Sequence, residues 1–333
     1  MLIAFKLALS AAVLLMIAWK IDFSASFRLL STISGVTIVS CLALLLIQMT
    51  FGAARIWIVI SMFGYRVRLP TVIRLTLEAL FFSQAFISFI GGDAYRIWRI
   101  HRMQVPLSDA TSIVVLDRLA GFTVNHLVFV GLLPLALAAM EDGAAKLGFV
   151  ALALGGLGGI ALLLLFGLLG RRMSPIELLP GRWRTNRVAA LLIDLTTIAR
   201  HVLSDGRNSL RIAVLAAVMA SINCMLFYIV FRSWGVADPL AFRCAALVPG
   251  IMEISLMPIS VAGWGLREGA SVIGFGALGL ESEIGLAASV AYGLMNIAIG
   301  LLGGLLWLFN RFLPTAAADR LAESSKTGKE GLI

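Results

Sequence analysis

Gly91-Gly92-Asp93-Ala94-Tyr95-Arg96 sets an acid and a base three residues apart beside a glycine pair, in a chain that is otherwise mostly apolar. A second cluster, Gly263-Trp264-Gly265-Leu266-Arg267-Glu268, lies near the other end. The chain has 333 residues, 60% of them hydrophobic and 14% charged. Soluble domains carry about 25% charged residues. With a mean hydropathy of +0.98, the sequence reads as an all-α polytopic membrane protein. Charge at membrane depth is costly and marks a polar pathway for an ion, a headgroup or a substrate. One cluster in each half points to one composite site.

A span needs about 20 apolar residues. Six stretches qualify: Ile3–Trp19, Ile33–Ala53, Gly121–Met140, Leu147–Leu169, Ile212–Phe231 and Ile284–Phe309. The first has the length of a signal peptide but no small-residue cleavage site, so it reads as a retained span. Two further stretches are irregular. Val72–Ile90 carries Arg74, Glu78 and Gln84 before the glycine pair, and Ala241–Leu280 is broken by Pro249, Gly250, Pro258, Gly263 and Gly265.

Loop charge orients the spans, because arginine and lysine gather on the cytoplasmic side. The loop at 170–211 holds eight arginines against Glu177, Asp194 and Asp205, and the tail at 313–333 adds Arg320, Lys326 and Lys329. Both are expected in the cytoplasm, and so is the N-terminus. Arg55, Arg66 and Arg68 read as inside, and the short loop around Glu141, Asp142 and Lys146 as outside. A full crossing by Val72–Ile90 would put the arginine-rich loop on the wrong side. Hairpins resolve the conflict: one enters at Val72, turns at Gly91-Gly92 and returns through Val105–Leu116, and Ala241–Leu280 forms a second of opposite orientation. Broken segments are tolerated at membrane depth where protein or a watery cavity surrounds them. Two of them, oppositely oriented, suggest an inverted repeat with a midplane site. The expected domains are a membrane domain at 1–312 and a polar tail. In the loop, Val188, Leu191, Leu192, Leu195, Ile198 and Val202 mark one apolar face of an amphipathic helix.

The candidate site is built from both clusters. Gly91 and Gly92 let the chain turn, and Asp93 could cap a helix starting at Ala94. Arg96 lies one turn on, and a helix N-terminus beside an arginine suits phosphate. Asp117-Arg118 is the next pair. Gly265 belongs to the Gly-Trp-Gly turn, Arg267 and Glu268 follow it, and Glu253 sits in the preceding apolar run, where a carboxylate needs a partner such as Arg267. For each pair the alternative is an ion pair that only pins the fold. Asn125, His126, Asn223 and Asn296 read as hydrogen-bonding links between helices. Cys41, Cys224 and Cys244 read as small buried apolar side chains. No metal-ligand spacing, nucleophile motif or phosphate-binding loop is present, so no cofactor or catalytic residue is expected. The net charge of +9 is accounted for by loops facing anionic lipid rather than by nucleic acid.

Phe82-Ser83-Gln84-Ala85-Phe86 leading to Gly91-Gly92-Asp93-Ala94-Tyr95-Arg96, with Leu116-Asp117-Arg118-Leu119-Ala120-Gly121, resembles one signature of the lysylphosphatidylglycerol synthase transmembrane family. Leu256-Met257-Pro258-Ile259-Ser260 leading to Gly263-Trp264-Gly265-Leu266-Arg267-Glu268-Gly269 resembles its second. The likeness runs from about Leu14 to Phe312. The family often has Glu-Arg at Asp117-Arg118 and a proline before the first glycine pair. Its bifunctional members add an aminoacyltransferase domain, which these residues do not contain, so lysyl-lipid synthesis is not carried over. The resemblance implies flippase-like translocation of an anionic phospholipid or a polyprenyl-linked lipid in a bacterial inner membrane, transporter-like rather than enzymatic, by a monomer or a homo-oligomer. The rival readings are a membrane enzyme, and an accessory scaffold in lipid, hopanoid or polyprenyl-glycan biosynthesis.

Overall fold

The computed structural model describes residues 23–85, 90–172, 205–257 and 263–312. Among them are ten α-helices and no strand: α1 Phe23–Thr32, α2 Gly35–Met62, α3 Leu69–Ala85, α4 Ile90–His101, α5 Leu107–Leu137, α6 Ala144–Arg172, α7 Gly206–Ser233, α8 Asp238–Ser255, α9 Leu266–Gly276 and α10 Ser282–Phe312. Five of them, α2, α5, α6, α7 and α10, are long and apolar enough to cross a membrane, and the protein is an all-α polytopic membrane protein. They correspond to five of the six expected spans. Ile3–Trp19, the amphipathic stretch at 188–202 and the tail lie outside the described residues.

The helices fall into two matching series. A long helix (α2 or α7) is followed by one of 17 or 18 residues (α3 or α8), a short one of 12 or 11 (α4 or α9) and a 31-residue helix (α5 or α10). Local chemistry repeats with the series. Ser34 and Asp205 cap α2 and α7 by accepting from backbone N–H groups three residues on. Both helices end at a glycine in the left-handed region, Gly64 (φ 84°) and Gly235 (φ 78°). There Tyr65 N–H donates to Ile60 O and Val236 N–H to Phe231 O, the same helix-terminating bond in each series. Pro70 and Pro239 then sit in the first turn of α3 and α8, where a missing N–H is harmless.

The two series run in opposite directions. Gln48 of α2 donates to Met219 O (3.0 Å) and Asn223 Oδ1 (2.8 Å) of α7. Further along, Ile56 shares a core cluster with Ile212, while Leu45 shares another with Phe227, so α2 and α7 pack antiparallel. Packing between the series is reciprocal: α3 lies on α10 as α8 lies on α5. The result is an inverted repeat, and its halves meet along α2 and α7.

Each α3/α4-type pair is a re-entrant hairpin. Phe82 of α3 stacks on Tyr95 of α4 at 4.4 Å, and Tyr95 Oη donates to Glu78 Oε2 at 2.5 Å. Tyr65 before α3 bonds Asp109 at the start of α5 (2.6 Å), so the chain leaves the bundle on the face where it entered. Arg74 donates to Leu306 O near the end of α10, which ends on this face too. The second hairpin opens to the opposite face, where Trp234 Nε1 donates to Leu29 O (3.0 Å) and Phe231 meets Phe275 edge to face. At 17 residues α3 rises about 26 Å, short of a full crossing with its turn.

The first hairpin differs from expectation in its return limb, which is α4 and not Val105–Leu116. That segment opens the continuous helix α5, which Pro106 starts after a reversal at Gln104 (φ 66°). Gly91 and Gly92 lie inside the first turn of α4, so Asp93 is a first-turn residue and not its cap. Gly92 is required by contact: a Cβ there would strike Ser83 Oγ and come within 2.7 Å of Ala79 O. Between membrane helices lipid gives little apolar driving force, so small residues and close packing carry association. Gly303 of α10 likewise lies against the Leu77 carbonyl of α3.

Two outcomes check this architecture. In a background without the native cysteines, Arg66→Cys and Ala144→Cys will react with an impermeant thiol reagent from opposite sides of the membrane; reaction from one side contradicts it. Gly303→Leu will cost about 1–3 kcal/mol by overpacking, read as a lower unfolding midpoint in detergent.

Candidate functional site

A cavity of about 510 Å³ opens between the hairpins, and both sequence clusters contribute to its wall. Asp93 and Arg96 come from α4, Asp117 and Arg118 from α5, Arg55 from α2 and Arg267 from α9. A neutral hydrogen-bonding side is formed by Gln48, Asn125, Asn223, Tyr292 and Asn296.

The charged side begins with adjacent residues on one helix. Successive helical residues point about 100° apart, so Asp117 and Arg118 serve different partners. Asp117 turns to α2 and accepts from Arg55 Nε (2.8 Å) and Nη2 (3.1 Å), a bidentate pair. Gly121 leaves room for that guanidinium, since a Cβ there would lie 2.5 Å from Arg55 Nη1. Arg118 turns to α4, donating to Asp93 from Nε (3.0 Å to each oxygen) and Nη2 (2.7 Å). Arg96 lies between the two carboxylates, Nη1 at 3.8 Å from both Asp93 and Asp117, and its buried Nε has no hydrogen-bond partner. Three guanidiniums thus face two carboxylates. A guanidinium offers five N–H donors, and those of Arg96 are the least satisfied.

On the other half, Arg267 is held tightly. Its Nη2 donates to Glu268 Oε1 (2.6 Å), its Nε to Glu268 and to Ser289 Oγ (3.0 Å), and it lies over Trp264 at 4.9 Å and Tyr292 at 5.5 Å. Cation–π contact suits a partly desolvated arginine. Glu268 is fully engaged: its second oxygen accepts from Gly265 N–H at 2.7 Å and closes the start of α9. Gly265 adopts φ 88°, a conformation that glycine reaches without strain. Glu268 and Gly265 therefore shape the wall by fixing Arg267.

The remaining sequence candidates divide differently. Gly92 lies in the hairpin packing, and neither it nor Gly91 is on the cavity wall. Glu253 sits behind the wall and pairs with α5, not with Arg267: it accepts from Asn125 Nδ2 (2.9 Å) and faces His126 Nδ1 (2.8 Å). Asn125 and Asn223 do link helices, the latter accepting from Gln48 and Tyr292. Asn296 bonds the carbonyl of Tyr292 on its own helix. Among the described residues no group of three His, Cys, Asp or Glu side chains is gathered for a metal.

Arg55 is the cavity residue that loop charge hid. The expected span stopped at Ala53, which placed Arg55 in a cytoplasmic loop. The helix continues to Met62, and the apolar run from Ile56 was the available sign that Arg55 lies inside it.

Asp117 is 2% exposed at its side chain. Removing one partner of such a pair costs about 3–5 kcal/mol, because it strands the other charge. Asp117→Asn will lower unfolding stability by that order in detergent. Asp142→Asn, which breaks an exposed pair with Lys146, will change it by less than about 1 kcal/mol. Equal effects contradict the structural weight given to Asp117.

No curated protein matches the chain. One family model does, and it runs through both hairpins and the cavity, from residue 3 to residue 304. Membership in that family carries a role related to membrane lipid, and every charged cavity residue falls within the matched stretch. The chain belongs to the family described as the lysylphosphatidylglycerol synthase TM region.

Proposed function

We propose that this protein translocates lipids or lipid-linked molecules with an anionic headgroup across the cytoplasmic membrane, as a flippase-like carrier. The observation that carries the reading is the convergence of both inverted hairpins on one cavity with surplus positive charge. Arg96, with an unsatisfied donor between Asp93 and Asp117, is the primary contact for a phosphate. Arg118 and Arg267 add donors from either side, and Arg55 keeps the site net positive. Charge-assisted bonds from arginine to phosphate oxygens are short and directional. Asp93 and Asp117 keep the arginines tolerable in the empty cavity and set how much charge a headgroup meets. Gly92, Gly265, Glu253 and Glu268 act on this site by shaping its walls.

Orientation follows from charge. The face that carries Arg66, Arg68, Arg102, Arg207 and Arg211 is cytoplasmic under the positive-inside rule. The cavity walls then connect that face, through the first hairpin, with the outer face, through the second. Inverted repeats of this kind support alternating access around a fixed midplane site.

The test is reconstitution into liposomes with fluorescent anionic, zwitterionic and polyprenyl-phosphate lipids. Anionic lipid will cross at least about tenfold faster than in protein-free vesicles, and Arg96→Ala will lose that acceleration, about 1.4 kcal/mol or more in a binding or barrier contribution. No movement of any lipid by folded protein overturns the reading and favours a membrane enzyme or scaffold.

A further inference from the structure

His126 and Glu253 form a buried pair behind the cavity wall, and neither is a contact for the headgroup. His126 is 0% and Glu253 3% exposed. The pair joins the halves of the repeat, with His126 on α5 and Glu253 on α8, in the second hairpin. His126 Nε2 lies 3.1 Å from Ala153 O of α6. A carbonyl only accepts, so Nε2 carries the N–H. Nδ1 then faces Glu253 Oε2 at 2.8 Å, while Oε1 accepts from Asn125. A hydrogen bond between Nδ1 and Oε2 requires one proton there, bound either as imidazolium with carboxylate or as imidazole with carboxylic acid. Both forms hold the same number of protons and no net charge. Loss of that proton sets a carboxylate against a nitrogen lone pair in an apolar interior, and the contact between α5 and α8 is weakened.

The surroundings offer no substitute charge. Phe122 and Phe129 flank the imidazole, and Gly156 of α6 lies against its ring. Earlier on α5, Asp117 and Arg118 are taken up by Arg55 and Asp93. On α9 Arg267 is bound to Glu268, on α7 Tyr228 and Arg232 bond Asp238 at the start of α8, on α6 Lys146 bonds Asp142, and further titratable groups on these helices include Arg207, Arg211 and Cys224 of α7, Arg243 and Cys244 of α8 and Tyr292 of α10. Among the described residues, His126 is the ion-pair partner found for Glu253. Asn125 reaches both this pair and the cavity: it lines the wall and donates to Pro249 O and Glu253.

We propose that His126 and Glu253 form a proton-binding site whose occupancy seats the second hairpin on α5, so that a transmembrane pH difference drives movement through the cavity. What is driven rests on the lipid-translocation reading; the proton site does not.

Two measurements test it. In proteoliposomes with an imposed pH difference of one unit, lipid movement will change at least about threefold on reversing the gradient. Glu253→Gln, which keeps a neutral hydrogen-bonding side chain, will bring that ratio to one. Lipid movement indifferent to the gradient in the unsubstituted protein overturns the proposal and leaves translocation standing. Independently, ¹⁵N-histidine NMR reads the pair in detergent; the chain has three histidines, and His126→Gln assigns the signal. A proton shared with Nδ1 that disappears in Glu253→Gln is the expected result. An imidazole that titrates alone and ignores Glu253→Gln overturns the proton site. If no lipid moves in any vesicle, the translocation reading fails and the NMR result decides the proton site by itself.

Discussion

Charge placed inside an apolar bundle must find counter-charge, and the Asp117–Arg55 pair is where this chain meets that demand. Asp117 fixes the guanidinium of Arg55 with two bonds and stands 3.8 Å from Arg96. With Asp93 taken by Arg118 on the other side, Arg96 is left between two carboxylates that already have partners. The cavity's surplus charge is therefore a consequence of how α2, α4 and α5 pack. Ion pairs of this sort add little net stability over an apolar core, and losing half of one is severe.

The inverted repeat gives that charge its place. A hairpin of two short helices brings Gly92 and its charged neighbours to membrane depth, and two hairpins from opposite faces line one cavity. Glycines serve this geometry as contact surfaces: Gly92 under Ser83, Gly303 under Leu77 and Gly250 under Phe129. The halves are not electrically equal. The first supplies arginines held by aspartates and open to the cavity. The second supplies one arginine buried between Glu268, Trp264 and Tyr292. A headgroup would meet a charged wall on one side and an amide-rich wall on the other, with Gln48 and Asn223 at the seam between the repeats.

Much of this was legible in the sequence. Apolar run length gave the spans, loop arginines forced Val72–Ile90 to turn back, and two glycine–charge clusters marked the hairpins. The parts that were missed share a cause. Arg55 was hidden because positive-inside reasoning treats an arginine at the end of an apolar run as a boundary, while α2 runs on to Met62. Proximity within one broken segment offers Arg267 as the partner of Glu253; the packing of α8 on α5 gives it to His126, a contact 127 positions away in sequence. Gly91-Gly92 reads as a turn because glycine favours turns, yet at Gly92 close approach to α3 also demands glycine. Sequence alone does not separate those two uses.

The central claim is that residues from both hairpins grip one ligand. The direct measurement is the affinity of the purified protein for an anionic phospholipid, by native mass spectrometry or titration in detergent, for Arg96→Ala, Arg267→Ala and the double variant. The account predicts that each single substitution weakens the same binding event by about tenfold, roughly 1.4 kcal/mol, with the unfolding midpoint checked in parallel. Binding that falls with Arg96→Ala and is unchanged with Arg267→Ala, in folded protein, would contradict a composite site.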